Sequence, residues 1–512
     1  MSASYTGNYL KIYLTQGVSI LLGILSLLVV VPHVSSDKDI YGIYSLCIST
    51  LMFLSYADIG FFSAGVKYAA EYYELKNKKD ELGIIGFSSF VLLAFSLLIA
   101  VGYILLGLSP GILISGIESN PQAYAVARKL FFIMAAFSPS IVVQRMAFAV
   151  YNIRVQDYIN QYITIAGNII KILSVFVFFS NGRYMLVEYF FFIQAVSLLS
   201  PVITLIIAKF KLGVDVGYLI KSIKWDGEYF GKTKDLAIAS FLSTLAWVAY
   251  YELDQVVIAK MFGSSAVAVF SVAFTLLSYV RTFYGAYFSP YSARINHLRV
   301  SPDRSVLQNF YHNIIKISIP VVIIPQLVLW MFVKDFIVCW SGPQYLESVS
   351  IARILLLCNL FAFISYPGGL LLTALEKHRM IRYTSVISVV LYWIGVFILK
   401  DISGVRSFAI MKLTVFIFMG LVYLYASYKF LDMSLGRFLR SLAYQVVLAV
   451  CAVLVLSHVA HFEIELSKGL INLMMVCLNM IFVIVAAFAI FTALDRSFRE
   501  FVFGKVKGLI KR

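Results

Sequence analysis

The chain has 512 residues, 61% of them hydrophobic and 13% charged, with a formal net charge of +16. A soluble domain is about 45–50% apolar and about 25% charged, so a water-soluble globule is excluded and a polytopic membrane protein with little soluble mass is expected. The basic excess points to membrane lipids, since basic segments beside helices attract anionic lipid by about 1 kcal/mol per residue; nucleic acid is not an expected partner, because no soluble domain presents a basic face.

A bilayer-spanning helix needs about 20 mainly apolar residues. Fourteen such runs follow one another, centred on residues 13–34, 40–62, 84–107, 130–151, 160–180, 186–208, 236–258, 264–288, 309–333, 351–374, 380–399, 405–428, 441–459 and 469–494. Outer-membrane strands would be about 10 residues long and alternating, so the predicted fold class is all-α. The first run is too long for a signal peptide's apolar region and has no small-residue cleavage site, and it reads as a retained helix. Within 13–34 it carries no Lys, Arg, Asp or Glu.

The second run carries one carboxylate, Asp58, in "FLSYADIGFFSAGVKYAAEYYELKNKKDELG" before a dense mixed-charge segment. A carboxylate near a helix C-terminus is mildly unfavoured, so Asp58 is expected to meet a cation such as Lys67 or one across an inner gate. The 130–151 run holds Arg145 on one face with Ser138 and Asn152, and Pro139 should bend it. The 160–180 run holds Lys171 in a polar stripe with Gln161, Thr164 and Asn168 at helical spacing. A charge at the bilayer centre costs several kcal/mol, so both stripes should face protein or water.

The segment 209–235 contains "VDVGYLIKSIKWDGEYF". Val216, Leu219, Ile220 and Ile223, with Lys221 and Lys224 beside them, predict an amphipathic helix at the inner interface. In the seventh run, "AYYELDQVVIAKMFG" places Glu252 and Asp254 near the outer end, with Lys260 as the nearest partner for a surface ion pair. Either acid is otherwise suited to a coupling cation, and a charge crossing the membrane potential provides about 2.3 kcal/mol per 100 mV. Arg281 follows Ser271, Thr275 and Ser278 along the eighth run, and Lys412 lies nearer the outer end of the twelfth. Four interior cations against few fixed anions suggest an anionic cargo, and the planar fork of Arg suits phosphate.

A weak internal repeat pairs "IYGIYSLCISTLM" with "AVAVFSVAFTLLS", and two parallel six-helix halves are a transporter plan. The expected organisation is a six-helix lobe over 1–208, a cytoplasmic linker over 209–235 and a second six-helix lobe over 236–430. Two further helices follow over 431–494, with a basic tail over 495–512. If the N-terminus is cytoplasmic, the loops on that side carry 27 of the 42 Lys and Arg, against 10 in the opposite loops and 5 in helix interiors, which by the positive-inside rule places both termini inside.

Catalytic patterns are missing. No GxxxxGK[ST] phosphate loop, HExxH or Cys/His cluster occurs, so no metal or catalytic residue is assigned and no cofactor is expected beyond coupling by Na+, H+ or the membrane potential. The longest outer loop, 107–129, holds one acidic residue, Glu118, which argues against an enzyme such as a polysaccharide polymerase or ligase.

Two segments bear a family resemblance. "YADIGFFSAGVKYAAEYYE" and "ELDQVVIAKMFGSSAVAVFSVAF" resemble the oligosaccharide flippases of the polysaccharide biosynthesis family, within the multidrug/oligosaccharidyl-lipid/polysaccharide exporter superfamily. The likeness lies in Asp58-Ile59-Gly60 and in Asp254, Gly263 and Phe270-Ser271. It implies two pseudo-twofold-related lobes around a central cavity lined by the first, second, seventh and eighth helices. The implied cargo is a polyprenyl-diphosphate-linked oligosaccharide of a capsule, O-antigen or other exopolysaccharide. That cargo would cross from the inner to the outer leaflet of the cytoplasmic membrane by alternating access, with polysaccharide polymerase and other assembly proteins as partners. It also favours Arg281 over Arg145 and Lys171 as a direct ligand. Lipid-linked peptidoglycan precursor flippases of the superfamily place arginines in their first helix, and this sequence does not. The alternatives are a cation-coupled exporter of drugs or metabolites with the same fold, and a membrane polymerase or ligase.

Overall fold

The computed structural model describes residues 2–54, 60–180, 182–299, 303–432, 434–459, 466–496 and 498–500. Among these the regular structure is helical throughout. Asp58 lies outside the described residues, as does the tail beyond residue 500.

Ten described helices are long and apolar enough to cross a bilayer, and a bent pair makes up to eleven. The other three predicted runs are interrupted or short. Run 40–62 crosses the end of a helix at Leu54, 236–258 is broken at residues 252–253, and 441–459 offers a short apolar stretch, Leu442–Ser457. The chain is a multi-pass membrane protein, and its exposed side chains agree: Leu21, Leu98, Val177, Phe397 and Ile471 all point outward. In hydrocarbon only helices satisfy every backbone group internally, which explains an all-helical chain.

The chain divides into two compact units, residues 1–268 and 269–512. The first contains α1 (Ser2–Val34), α2 (Lys38–Leu54), α3 (Phe61–Glu74), α4 (Lys78–Leu108), α5 (Pro121–Phe137) and α6 (Ser140–Asn152). It continues with α7 (Asp157–Phe178), α8 (Leu186–Leu212), α9 (Val216–Lys221), α10 (Gly227–Tyr251) and α11 (Asp254–Phe262). α1 reaches back beyond the predicted run and so includes Lys11, whose ammonium lies 5.0 Å from the Tyr158 ring centre.

Helix boundaries in this unit follow local chemistry. Asn77 accepts from the Asp80 amide to start α4, and Asn120 accepts from the Ala123 amide with Pro121 at the first turn of α5. Pro139 separates α5 from α6, and the pair bends by 43°. Gly213 ends α8 with φ +62, a left-handed conformation suited to glycine. Around Ile85, Met146, Tyr151 and Leu219, α3, α4, α6, α8 and α9 share one apolar core. Leu219 of α9 is buried while Ile220 is exposed, and a Cβ on Gly86 would sit 2.5 Å from the Ser222 carbonyl oxygen. α9 is therefore docked on α4. The Trp225 and Phe230 rings lie 5.0 Å apart at a tilt of 38°, and Tyr229 donates to Asp80 at 2.9 Å.

The second unit takes in most of α12 (Ser264–Arg299), then α13 (Arg304–Ser341), α14 (Leu346–Ala374), α15 (His378–Ser403), α16 (Arg406–Phe430), α17 (Leu435–Val459) and α18 (Leu470–Leu494). α13 packs against α14, α17 and α18, and α14 packs along α16. Tyr284, Phe288, Ile315, Val322, Leu371, Tyr428, Val483 and Phe491 belong to its core.

Candidate functional site

Arg145 and Lys171 face one cavity of about 400 Å³ in the first unit, between α6, α7 and α8. Gln144, Asn160, Thr164, Asn168, Ser197 and Ser200 line it with them, and no carboxylate is among the described lining residues. Gly167 brings α7 close to α8, since a Cβ there would lie 2.5 Å from Ser200 Oγ. Asn160, Thr164, Asn168 and Lys171 recur at four, four and three residues, one face of a helix. Both cations are half-buried.

Pro201 inside α8 has no amide hydrogen, so the Ser197 carbonyl loses its helical donor. Gln144 Nε2 donates to that carbonyl at 3.4 Å. The nearby hydroxyls turn to their own helices: Ser197 donates to Ile193, Ser200 to Val196, and Thr164 to Asn160. Lys171 and the Asn168 amide also line the cavity.

The two stripes read from the sequence converge, with changes of member. Gln161 is not in the lining: it donates to Asp157 at 2.7 Å and accepts from Thr15 at 2.5 Å. Asn160 takes its place. The bend at Pro139 separates Ser138 from Arg145's face, and Ser138 is buried with its hydroxyl donated to Met134. Asn152, at the end of α6, is exposed. Gln144, Ser197 and Ser200 went unnoticed, although the Ser-x-x-Ser-Pro pattern on an apolar run was the available signal.

The other two cations lie in the second unit. Lys412 is fully buried, with Nζ 5.1 Å from the Tyr392 ring centre and 5.5 Å from that of Phe274. Arg281 is half-buried, its guanidinium 5.2 Å from the Phe416 ring centre, while Tyr366 donates to its carbonyl at 3.3 Å. A cation over a ring face is attracted by the ring quadrupole.

Glu252 and Asp254 flank a break in the predicted seventh helix. Glu252 caps the end of α10, and Asp254, 1% exposed, opens α11. A carboxylate in a first turn complements the helix dipole. Lys260 turns away to the Ile112 carbonyl at 2.8 Å, and the Ser115 amide donates to Ala259 at 3.1 Å. Gly263 follows with φ +82 and ψ −178, which excludes other residues. Gly60, in the other quoted segment, also has a backbone reason: it has φ +78 and caps α3. Among the described residues no group of three His, Cys, Asp or Glu is arranged to hold a metal.

No protein-family model matches the chain, and no curated relative does. Solved structures do. The lipid II flippase MurJ, in an inward closed conformation, aligns with TM-score 0.65 and 16% identity over 95% of this chain and 98% of that one. An inward-facing multidrug resistance MATE family transporter aligns with TM-score 0.63 and 14% identity over 82% and 94%. A transporter of the same superfamily from Pyrococcus furiosus, described as having a binding pocket of reversed polarity, aligns with TM-score 0.58 and 12% identity over 83% and 95%. The chain has the fold of the multidrug/oligosaccharidyl-lipid/polysaccharide exporter superfamily that the sequence resemblance implied.

Proposed function

We propose that the protein is a flippase that carries polyprenyl-diphosphate-linked oligosaccharide units from the cytoplasmic to the outer leaflet by alternating access. The observation that supports this reading is the convergence of Arg145 and Lys171 on one cavity with no described carboxylate in its lining. Such a site favours an anionic ligand over the amphipathic cations of drug exporters. The likeness to a lipid-linked precursor flippase over nearly the whole chain agrees. The fold's relatives are transporters and flippases, in keeping with transport rather than catalysis.

In this reading the protein sits in the cytoplasmic membrane with both termini inside, and it hands its cargo to a polysaccharide polymerase. Arg281 is a cargo ligand of the second unit and Lys412 supports the field around it. Asp254 and Glu252 take a coupling cation, and Asp58 works at the inner gate. The cargo belongs to a capsule, O-antigen or other exopolysaccharide.

The test is a deletion strain complemented with wild-type or variant chain. Loss of the protein should leave single lipid-linked repeat units on the inner leaflet, and Arg281→Ala should restore export poorly. Single units accumulating outside would mark a polymerase instead, and unchanged surface polysaccharide would overturn the flippase reading.

A further inference from the structure

We propose that the outward face of α15 binds an anionic phospholipid, with the phosphate on Arg379 and Arg382 and the acyl chains along the apolar stripe that follows them. This surface lies in the second unit and shares no residue with the cation sites described above. The transport reading enters only through its orientation, which puts this end of α15 at the inner leaflet.

Three observations carry it. The first is the stripe. At about 100° per residue, Arg379, Tyr383, Val386, Val390, Ile394 and Phe397 fall on one side of the helix, and all six are exposed. The opposite side is packed. Ser388, Tyr392 and Val396 are buried, and Met380 and Ile381 rest against Leu372, Tyr423 and Ala426. α15 buries a smaller share of its span than α13, α14 or α16 does. From Arg379 to Phe397 the helix rises about 27 Å, close to the thickness of a hydrocarbon core. Arg379 is thus level with one row of headgroups.

The second is charge. Arg379 and Arg382 are exposed, and neither makes an ion pair among the described residues. Glu376, the carboxylate nearest in sequence, is held by Arg299 at 2.9 Å. Arg379 stands in the first turn of α15, where a cation opposes the helix dipole, and no acidic residue in that turn offsets it. A phosphate does so, and the guanidinium fork matches two of its oxygens. At the far end of the same helix, Lys400 already has Asp401 at 3.5 Å. One end of α15 therefore calls for an anion and the other does not, which matches a bilayer whose inner leaflet holds the anionic lipid. Tyr383, 68% exposed, adds the ring and hydroxyl that favour headgroup depth.

The third disfavours a second copy of the chain as the occupant. Copies in one membrane share an orientation, so a twofold pair of α15 faces would set Arg379 against Arg379. Helix pairs in lipid also favour small residues at their contact, and the stripe offers Val386, Val390, Ile394 and Phe397 instead.

The test takes the full chain in detergent, stripped of lipid and titrated with phosphatidylglycerol or phosphatidylcholine, with bound lipid counted by native mass spectrometry. Phosphatidylglycerol should be retained in preference to phosphatidylcholine. Arg379→Gln/Arg382→Gln should weaken that retention about tenfold or more, and Arg379→Lys/Arg382→Lys should keep most of it. Lys78→Gln/Lys79→Gln, which removes two exposed cations from the start of α4, should leave it unchanged. Where the double Gln variant fails to yield monodisperse protein, Arg382→Gln alone is measured, with a loss of about threefold or more expected. Equal retention of the two lipids by the wild type, no loss in the Gln variants, or an equal loss in the Lys78/Lys79 variant would each overturn the assignment. Displacement of phosphatidylglycerol by equimolar polyprenyl diphosphate would overturn it too, giving the face to the cargo lipid, as would a wild-type dimer that Val390→Trp breaks apart. Export is not read in any of these measurements, so a failed lipid site leaves the flippase reading standing.

Discussion

Arg154 Nη2 lies 2.5 Å from Glu81 Oε1, and both side chains are nearly buried, at 11% and 2% exposure. Arg154 follows α6 and Glu81 sits in the first turn of α4, so the pair ties the ends of two helices of the first unit. The same guanidinium donates to the Val150 carbonyl at 2.8 Å and stacks 4.8 Å from the Tyr73 ring centre. Removing one partner strands the other charge, which costs about 3–5 kcal/mol. Glu81→Gln should therefore lower the apparent melting temperature in detergent markedly, and pairing Glu81→Leu with Arg154→Met should recover most of the loss. A Glu81→Gln protein as stable as wild type would show that the pair contributes nothing.

Gly263 tests the backbone logic of the Asp254–Phe270 segment. At φ +82 it lies where only glycine is at ease, and an added Cβ would sit 2.9 Å from the Ser115 carbonyl oxygen. Conformational strain of this kind costs on the order of 1–3 kcal/mol. Gly263→Ala should reduce the yield of monodisperse protein and its melting temperature, whereas Gly285→Ala, where nothing lies within 4 Å of the new Cβ, should change little. Equal behaviour of the two variants would refute the strain argument.

The contrast between Lys171 and Arg154 shows what the sequence could reveal. Lys171 sits on an apolar run, so its charge and its polar stripe stood out, and helical periodicity alone aimed it at the cavity. Arg154 and Glu81 lie at helix ends among many other charges, where a buried ion pair and a solvated loop look alike in one dimension. The break at residues 252–253 was hidden because hydropathy carries no information on backbone direction. Gln161 was placed in the stripe instead of Asn160 because at about 100° per residue it falls only about 20° beyond Asn168, at the stripe's far edge. Helix positions were legible from apolar length; partners across helices were not.

Asp303 caps α13, accepting from the Ser305 amide and hydroxyl, each at 2.8 Å. Those hydrogen bonds, the hydroxyl's first, hold its carboxyl below the usual range. A depressed folded value means the cap's contribution is present above the unfolded carboxylate value, about 3.9, and is lost as pH falls through the lower folded value. Asn caps without titrating. Between pH 5 and pH 3 the wild-type melting temperature should therefore fall more than that of Asp303→Asn. Parallel pH curves for the two proteins would remove Asp303's titration from the account.

α12 and α16 exchange cations for rings in both directions. Phe274 of α12 faces Lys412 of α16, and Phe416 of α16 faces Arg281 of α12. Seven residues separate Phe274 from Arg281 and four separate Lys412 from Phe416, so each helix places ring and cation along one face. Each such contact contributes about 0.5–1 kcal/mol when exposed and about 2 when desolvated, and Lys412, fully buried and also beside Tyr392, belongs to the second case. Lys412→Met keeps the length of the side chain and removes a charge whose burial is itself costly, so folding should survive with a change under about 1.5 kcal/mol. Phe416→Leu removes the ring under Arg281 while leaving its charge in place. If Arg281 must be held flat to grip an anion, Phe416→Leu should weaken polysaccharide export more than Lys412→Met does, with equal protein levels in the membrane. The opposite order, measured as surface polysaccharide per unit of protein, would place the transport role on Lys412 and leave Arg281 as a helix tie.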